Sequence, residues 1–184
     1  MDDGAAAASM LFGEAVAWLR DCYGQFEFWT ERDLVWTVQT HLRKVISKRG
    51  LRCEVFNDFP LLPGIRRGLS ADLVIRDADR NVLVAAEFKY EPSHSRPEFR
   101  AMSGKLPLVS WGAHGVAKDM ARIREFVEAG AARVAFALLI DEGRYFRHRQ
   151  PYPGAVWRDW ESSSAISMSF WANWTRSSSG RRRP

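Results

Sequence analysis

The sequence predicts an α/β fold, with a mixed central β-sheet flanked by helices. Three observations lead there. Apolar residues recur at helical spacing in two stretches near the start and again from Val116 to Gly130, with short β-branched runs between and after them. The run Arg133 to Ile140 is almost continuously apolar, the mark of a strand covered on both faces. The chain has 184 residues and is 46% hydrophobic, enough to bury the core of one domain.

The elements follow in order. From Ser9 to about Cys22, Met10, Leu11, Ala15, Trp18 and Leu19 keep helical spacing. Thr30 is placed to cap a second helix, with Glu31 and Asp33 in its first turn, where the helix dipole favours acids. Leu34, Val35, Val38, Leu42, Val45 and Ile46 form its apolar stripe, and Lys48, Arg49 and Gly50 close it. Leu51 to Phe59 reads as a strand and Pro60 to Ser70 as a loop. Ala71 to Arg76 and Val82 to Tyr90 read as strands around the polar turn Asp77 to Asn81. A loop from Glu91 to about Gly115 leads into the third helix. The aromatic end, Tyr145 to Trp174, contains the alternation Ile166, Met168, Phe170 of a further strand. One domain is expected over residues 1–175, its core at about 30–141. A flexible basic tail is expected at 176–184.

Composition narrows the function. Cys22 and Cys53 are too few for a disulfide scaffold and point to a reducing, cytoplasmic setting. No apolar run spans a bilayer, and the acidic start Asp2-Asp3 is unlike a secretory leader. The net charge of +5 permits a phosphate-rich partner, although Arg181 to Arg183 supply part of it. The four histidines fit no zinc spacing and are expected on the surface or in loops. Neither a Gly-x-Ser-x-Gly elbow nor a phosphate-cradling Gly-x-x-x-x-Gly-Lys loop is present.

The stretch Ala71 to Tyr90 carries the chemistry. Glu87 and Lys89 stand two apart in an apolar strand and so share a face. If Asp79-Arg80 is a two-residue hairpin loop, Ala78 pairs with Asn81 and Asp72 lies opposite Glu87, on the same side. A loop one residue longer breaks this register unless a bulge restores it. Charges in such strands are costly unless paired or bound to metal. Facing carboxylates repel, and a hard divalent cation such as Mg²⁺ relieves them through oxygen ligands. Lys89 beside the ion can position a water, which is the equipment of metal-assisted phosphodiester hydrolysis. Glu31 has two readings. At ~100° per residue it falls within about 60° of Leu34, Val35, Val38, Leu42 and Val45 and so points inward. Alternatively it is an exposed acid complementing the dipole.

Glu31 on a helix, Asp72 early in a strand and Glu87-Phe88-Lys89 in the next strand resemble the PD-(D/E)XK nuclease superfamily. The resemblance covers about Thr30 to Asp141 and departs from the name pattern at Ala71, which stands where Pro is usual. It implies a restriction-endonuclease-like αβββαβ core. It also implies an Mg²⁺-dependent nuclease, with Mn²⁺ as substitute, acting on nucleic acid, DNA being expected. Asp72 and Glu87 would hold the metal, with the backbone carbonyl of Phe88 as a further ligand. Lys89 would position the attacking water, and Glu31 would help hold the metal or its water. Lys118 or Arg122, on the third helix, would add a basic residue.

Arg66, Arg67 and Lys105 are candidate phosphate contacts in the flanking loops, though solvated loop charges are their commoner meaning. Lys118, Asp119, Arg122 and Glu125 are read as lying away from the apolar stripe of their helix. The aromatics Trp157, Trp160, Phe170, Trp171 and Trp174 are assigned mostly to the core, with a homodimer or protein-partner surface second. Two other readings stand. One is a non-cleaving nucleic-acid-binding or protein-interaction module on the same fold. The other is a structural protein in which Glu87 pairs with Lys89 or Arg76 on a solvent-facing hairpin.

Overall fold

A computed structural model describes residues 3–63, 69–96, 109–161 and 166–175. Helix α1 (Asp3–Cys22) is followed by a 3₁₀ turn (Tyr23–Gln25) and by α2 (Glu31–Arg49). Strands β1 (Cys53–Leu62), β2 (Leu69–Asp77) and β3 (Val82–Glu91) come next, then α3 (Val116–Glu128), β4 (Val134–Asp141), β5 (Ala155–Glu161) and β6 (Ile166–Thr175). The six strands form one sheet in the order β1-β2-β3-β4-β6-β5. Only β3 and β4 pair in parallel, as the α3 crossover between them requires, so the sheet is mixed. No helix among the described residues is long and apolar enough to cross a membrane.

Two apolar clusters hold the layers. Phe12, Leu19, Leu34, Val38 and Leu42 of α1 and α2 pack with Leu73, Ile75, Ala86 and Phe88 on one side. Met120, Ile123 and Phe126 of α3 pack with Ala71, Val74, Ala85 and Ala137 on the other. Strand β4 is buried at every position, as its unbroken apolar run predicts.

The caps of α2 form as expected. The Asp33 carboxylate accepts from Thr30 N at 2.7 Å and Trp29 N at 3.0 Å. Gly50 closes the helix at φ 63°, where a side chain would be strained.

Other boundaries move. Helix α1 begins at Asp3 rather than Ser9, because the alanine run continues the helix. Strand β1 runs to Leu62 and β2 starts at Leu69, so the expected loop is shorter. Pro60 is tolerated because β1 is an edge strand. Strand β5, not separately foreseen, forms the far edge. Of the expected aromatic core, Trp160 is buried and Trp157 stacks on Trp111 with centroids 5.8 Å apart. The side chains of Phe170, Trp171 and Trp174, and the tail 176–184, lie outside the described residues.

The hairpin register is the element that matters most for function. Leu73 pairs with Ala86, Val74 with Ala85 and Ile75 with Val84, which is the predicted register. The turn, however, is one residue longer than proposed. Asp77 and Asn81 close it, around Ala78, Asp79 and a left-handed Arg80. A bulge at Leu83 then restores the phase, since Arg76 pairs with Val82.

Gly115 is the N-cap of α3, where a Cβ would clash with the Ser110 carbonyl oxygen. Gly115→Ala is therefore expected to destabilise the fold by about 2 kcal/mol through overpacking. Urea denaturation checks this; an unchanged midpoint would show that the Ser110 turn yields freely.

Candidate active site

Strands β2 and β3 part beyond the pair Leu73–Ala86, and the site lies in the opening. On the far side of β2, Asp58 of β1 takes φ 48° opposite Asp72, so the regular alternation of faces breaks there. Ala71 and Val74, three apart, both join the cluster under α3. Beyond the last β2–β3 pair the backbone of Phe88 is satisfied by side chains. Its N–H donates to Asp72 Oδ2 at 2.7 Å and its carbonyl accepts from Lys89 Nζ at 2.8 Å.

The side chains predicted to converge do so. Lys89 Nζ donates to Glu31 Oε2 at 2.9 Å, so the inward reading of Glu31 holds. On the same ammonium, Asp119 Oδ2 sits at 3.0 Å, an ion-pair distance without hydrogen-bond alignment. Arg122 donates to Glu87 Oε2 at 2.9 Å. Glu87 and Lys89 therefore pair with α2 and α3 rather than with each other, and Arg76 pairs with Glu54 at 3.0 Å. The solvent-facing hairpin is excluded, since β3 is an interior strand and Glu87 is buried.

Asp119 was missed as a site residue. It is 2% exposed, against the expectation that it faces away from the apolar stripe. The signal was present: Val116, Asp119 and Ile123 are spaced three and four apart, which places the carboxylate on the buried face. Lys118 is exposed, and its charge is felt by Glu31 and Asp119 without direct contact. Arg66, Arg67 and Lys105 lie outside the described residues.

Four carboxylates and two cations thus share one partly dry opening. Burial, then Glu31, pushes Asp72 up to about 7. Burial, then Asp72 and Asp119, pushes Glu87 higher still, with Arg122 opposing. Burial raises Glu31 and Asp119 too, while Lys89 pulls each back. Lys89 shows the opposite balance. Its acidic neighbours Asp119, Glu31 and Asp72 outweigh its desolvation and keep it protonated well above neutrality.

Satisfaction separates this cluster from the other buried acids. Glu142 accepts from Tyr23 at 2.6 Å, Tyr90 at 2.7 Å and Ser93 N at 2.8 Å. Glu91 holds Val109 N and His94 Nε2, each at 2.6 Å. Those acids tie chain segments together and have their acceptors engaged. In the opening, by contrast, Glu87 Oε1 and Asp119 Oδ1 are buried without a hydrogen-bond partner. Orphaned acceptors in a native structure call for an unseen ligand, water or ion.

Comparison of the chain with protein-family models, with curated proteins and with solved structures finds no match.

Asp72 and Glu87 have folded values above their unfolded ones, so the unfolded chain releases protons first as pH rises. The stability they contribute is full below the ordinary carboxylate range and is lost as pH climbs through about 7 and beyond. Without divalent cations, the unfolding free energy is expected to fall between about pH 5 and pH 9, and Asp72→Asn to flatten that fall. Urea titrations at several pH values measure it; a profile identical in the variant would contradict the assignment.

Proposed function

We propose that the chain is a metal-dependent nuclease that hydrolyses phosphodiester bonds of nucleic acid, with DNA as the expected substrate. One observation carries the reading. Asp72, Glu87, Lys89 and Glu31, from three elements, meet where β2 and β3 part, beside buried carboxylate oxygens that lack partners. The order α2-β1-β2-β3-α3-β4 supports it, because it is the helix and strand order of the PD-(D/E)XK core.

The donor set suits a hard divalent cation. It offers carboxylate and carbonyl oxygens, and burial, with repulsion among the acids added to it, has already raised Asp72 and Glu87. Among the described residues no three acidic, imidazole or thiol groups already surround one point. Lys89 and Arg122 hold several of the oxygens instead. Asp72 and Glu87 would hold Mg²⁺ or Mn²⁺, with the Phe88 carbonyl and Glu31 as further ligands. Such an ion, when bound, stabilises charge on the phosphate and acidifies water.

The protein's own groups divide the remaining work. The acidic neighbours of Lys89 favour its ammonium form, which would orient the attacking water as a donor. Glu31 and Asp119 grip that ammonium from α2 and α3 and fix its position. Arg122, about a quarter exposed beside Glu87, is the cation placed to meet a phosphate oxygen.

A second reading has one observation in its favour. Internal pairing of Glu87 with Arg122 and of Glu31 and Asp119 with Lys89 also suits a fold that binds nucleic acid or protein without cutting.

Cleavage and calorimetry separate the two. Asp72→Ala, Glu87→Ala and Lys89→Ala are each expected to reduce Mg²⁺-dependent cleavage by about 10³-fold. Mn²⁺ binding is expected to vanish in Asp72→Ala and to survive in Lys89→Ala. Equal cleavage by wild type and all three variants would overturn the nuclease. Absence of any Asp72-dependent metal binding would favour the non-cleaving module.

A further inference from the structure

Trp18, Phe26, Phe28, Trp29 and Trp36 line a cleft of about 380 Å³ beside α2, within the size range of small-ligand sites. Large aromatic surface faces solvent there. Trp36 is 63% exposed, Trp29 40% and Phe26 37%. Exposed aromatics gathered on one concave surface, rather than scattered singly, mark a binding site.

The cleft favours a flat, uncharged guest. Trp18 and His41 already stack with centroids 3.7 Å apart and planes within 12°, so one wall is a planar pair. Burial, then Lys44 and Arg49, pushes the His41 imidazole below its ordinary value. Thr37 and Thr40 supply hydroxyls that can meet polar ring edges. Glu27 and Asp33 also line the cleft and disfavour a phosphate within it, whereas Lys44 is placed to meet one at the rim. A nucleobase, neutral and planar with polar edges and a phosphate on either side, matches this distribution.

Position adds the link to the opening between β2 and β3. Trp29 and Asp33 line the cleft, and Glu31 lies between them in sequence with its side chain on Lys89. Cleft and opening thus meet the same end of α2 from opposite faces, one helix diameter (~10 Å) apart.

We propose that this cleft stacks an unpaired nucleobase of the strand whose phosphodiester lies at Asp72, Glu87 and Lys89. The inference rests on the nuclease reading and narrows its substrate to nucleic acid with single-stranded or frayed character. A base held inside a duplex cannot present its faces to Trp36, while an unpaired one can.

The test uses the full chain without divalent cations, a short single-stranded DNA oligonucleotide and a blunt duplex of the same sequence. Single-strand binding is expected to quench tryptophan fluorescence. Trp36→Ala is expected to weaken it by about tenfold, the scale of one base–aromatic stack. Trp36→Phe should retain most of the affinity, and the duplex should bind more weakly. Because Trp36 is mainly exposed, its replacement leaves the core intact.

Unchanged single-strand affinity in Trp36→Ala, or equal affinity for the duplex, would overturn the proposal. So would a concentration-dependent dimer lost in Trp36→Ala without any effect on oligonucleotide binding. The two readings fail separately. Trp36-dependent single-strand binding by a chain that cuts nothing keeps the base cleft and removes the nuclease. Asp72-dependent cleavage with no role for Trp36 does the reverse.

Discussion

The site depends on one backbone constraint. Where β2 leaves β3 after Leu73 and Ala86, Phe88 is left with an N–H and a carbonyl that the next residues of β2 do not meet. Buried backbone groups must find partners, and here side chains supply them. Asp72 takes the N–H and Lys89 takes the carbonyl, which holds both chains at the mouth of the opening. An interior strand between two apolar layers keeps β3 rigid. On the far side of β2, Asp58 of β1 takes a left-handed φ of 48° opposite Asp72. From this parting follows the access of Glu31 from one side of the sheet and of Asp119 and Arg122 from the other.

Such an arrangement is expensive for folding. Carboxylates removed from water raise one another's proton affinity, and two cations offset only part of the repulsion. A sequence selected for stability alone would place apolar residues there, as it does through most of β4 and β3. The acids around Glu142 show how the same chain buries charge for structural ends: every oxygen is occupied, by tyrosines, an arginine and backbone donors. Incomplete satisfaction between β2 and β3 sets these acids apart from the acids that tie loops.

Much of this was legible in the residues. Alternation placed Glu87 and Lys89 on one face, and pairing arithmetic brought Asp72 to their end of the hairpin, although the strands part before the expected Asp72–Glu87 pair forms. The turn itself was misjudged, because Arg80 in a left-handed conformation and the bulge at Leu83 leave almost no mark on composition. Their effects cancel, so the register survived. The spacing of the α2 stripe carried the inward direction of Glu31. Asp119 was readable in principle, since it sits on the apolar stripe of α3, but a charge there was assigned to solvent by default. The parting of β2 from β3 and the left-handed φ of Asp58 had no local signal. They arise from how three strands accommodate one another. The aromatic cleft likewise needs α1, the segment after it and α2 to be in place before Trp18, Phe26 and Trp36 become neighbours.

Crystals soaked in Mn²⁺, with data collected for anomalous scattering, give the most direct trial of the central idea. An anomalous peak bounded by oxygens of Asp72 and Glu87 and by the carbonyl of Phe88, with Lys89 turned off that carbonyl, is the predicted result. A map with no peak in the opening, and Arg122 and Lys89 still seated on their carboxylates, would contradict it.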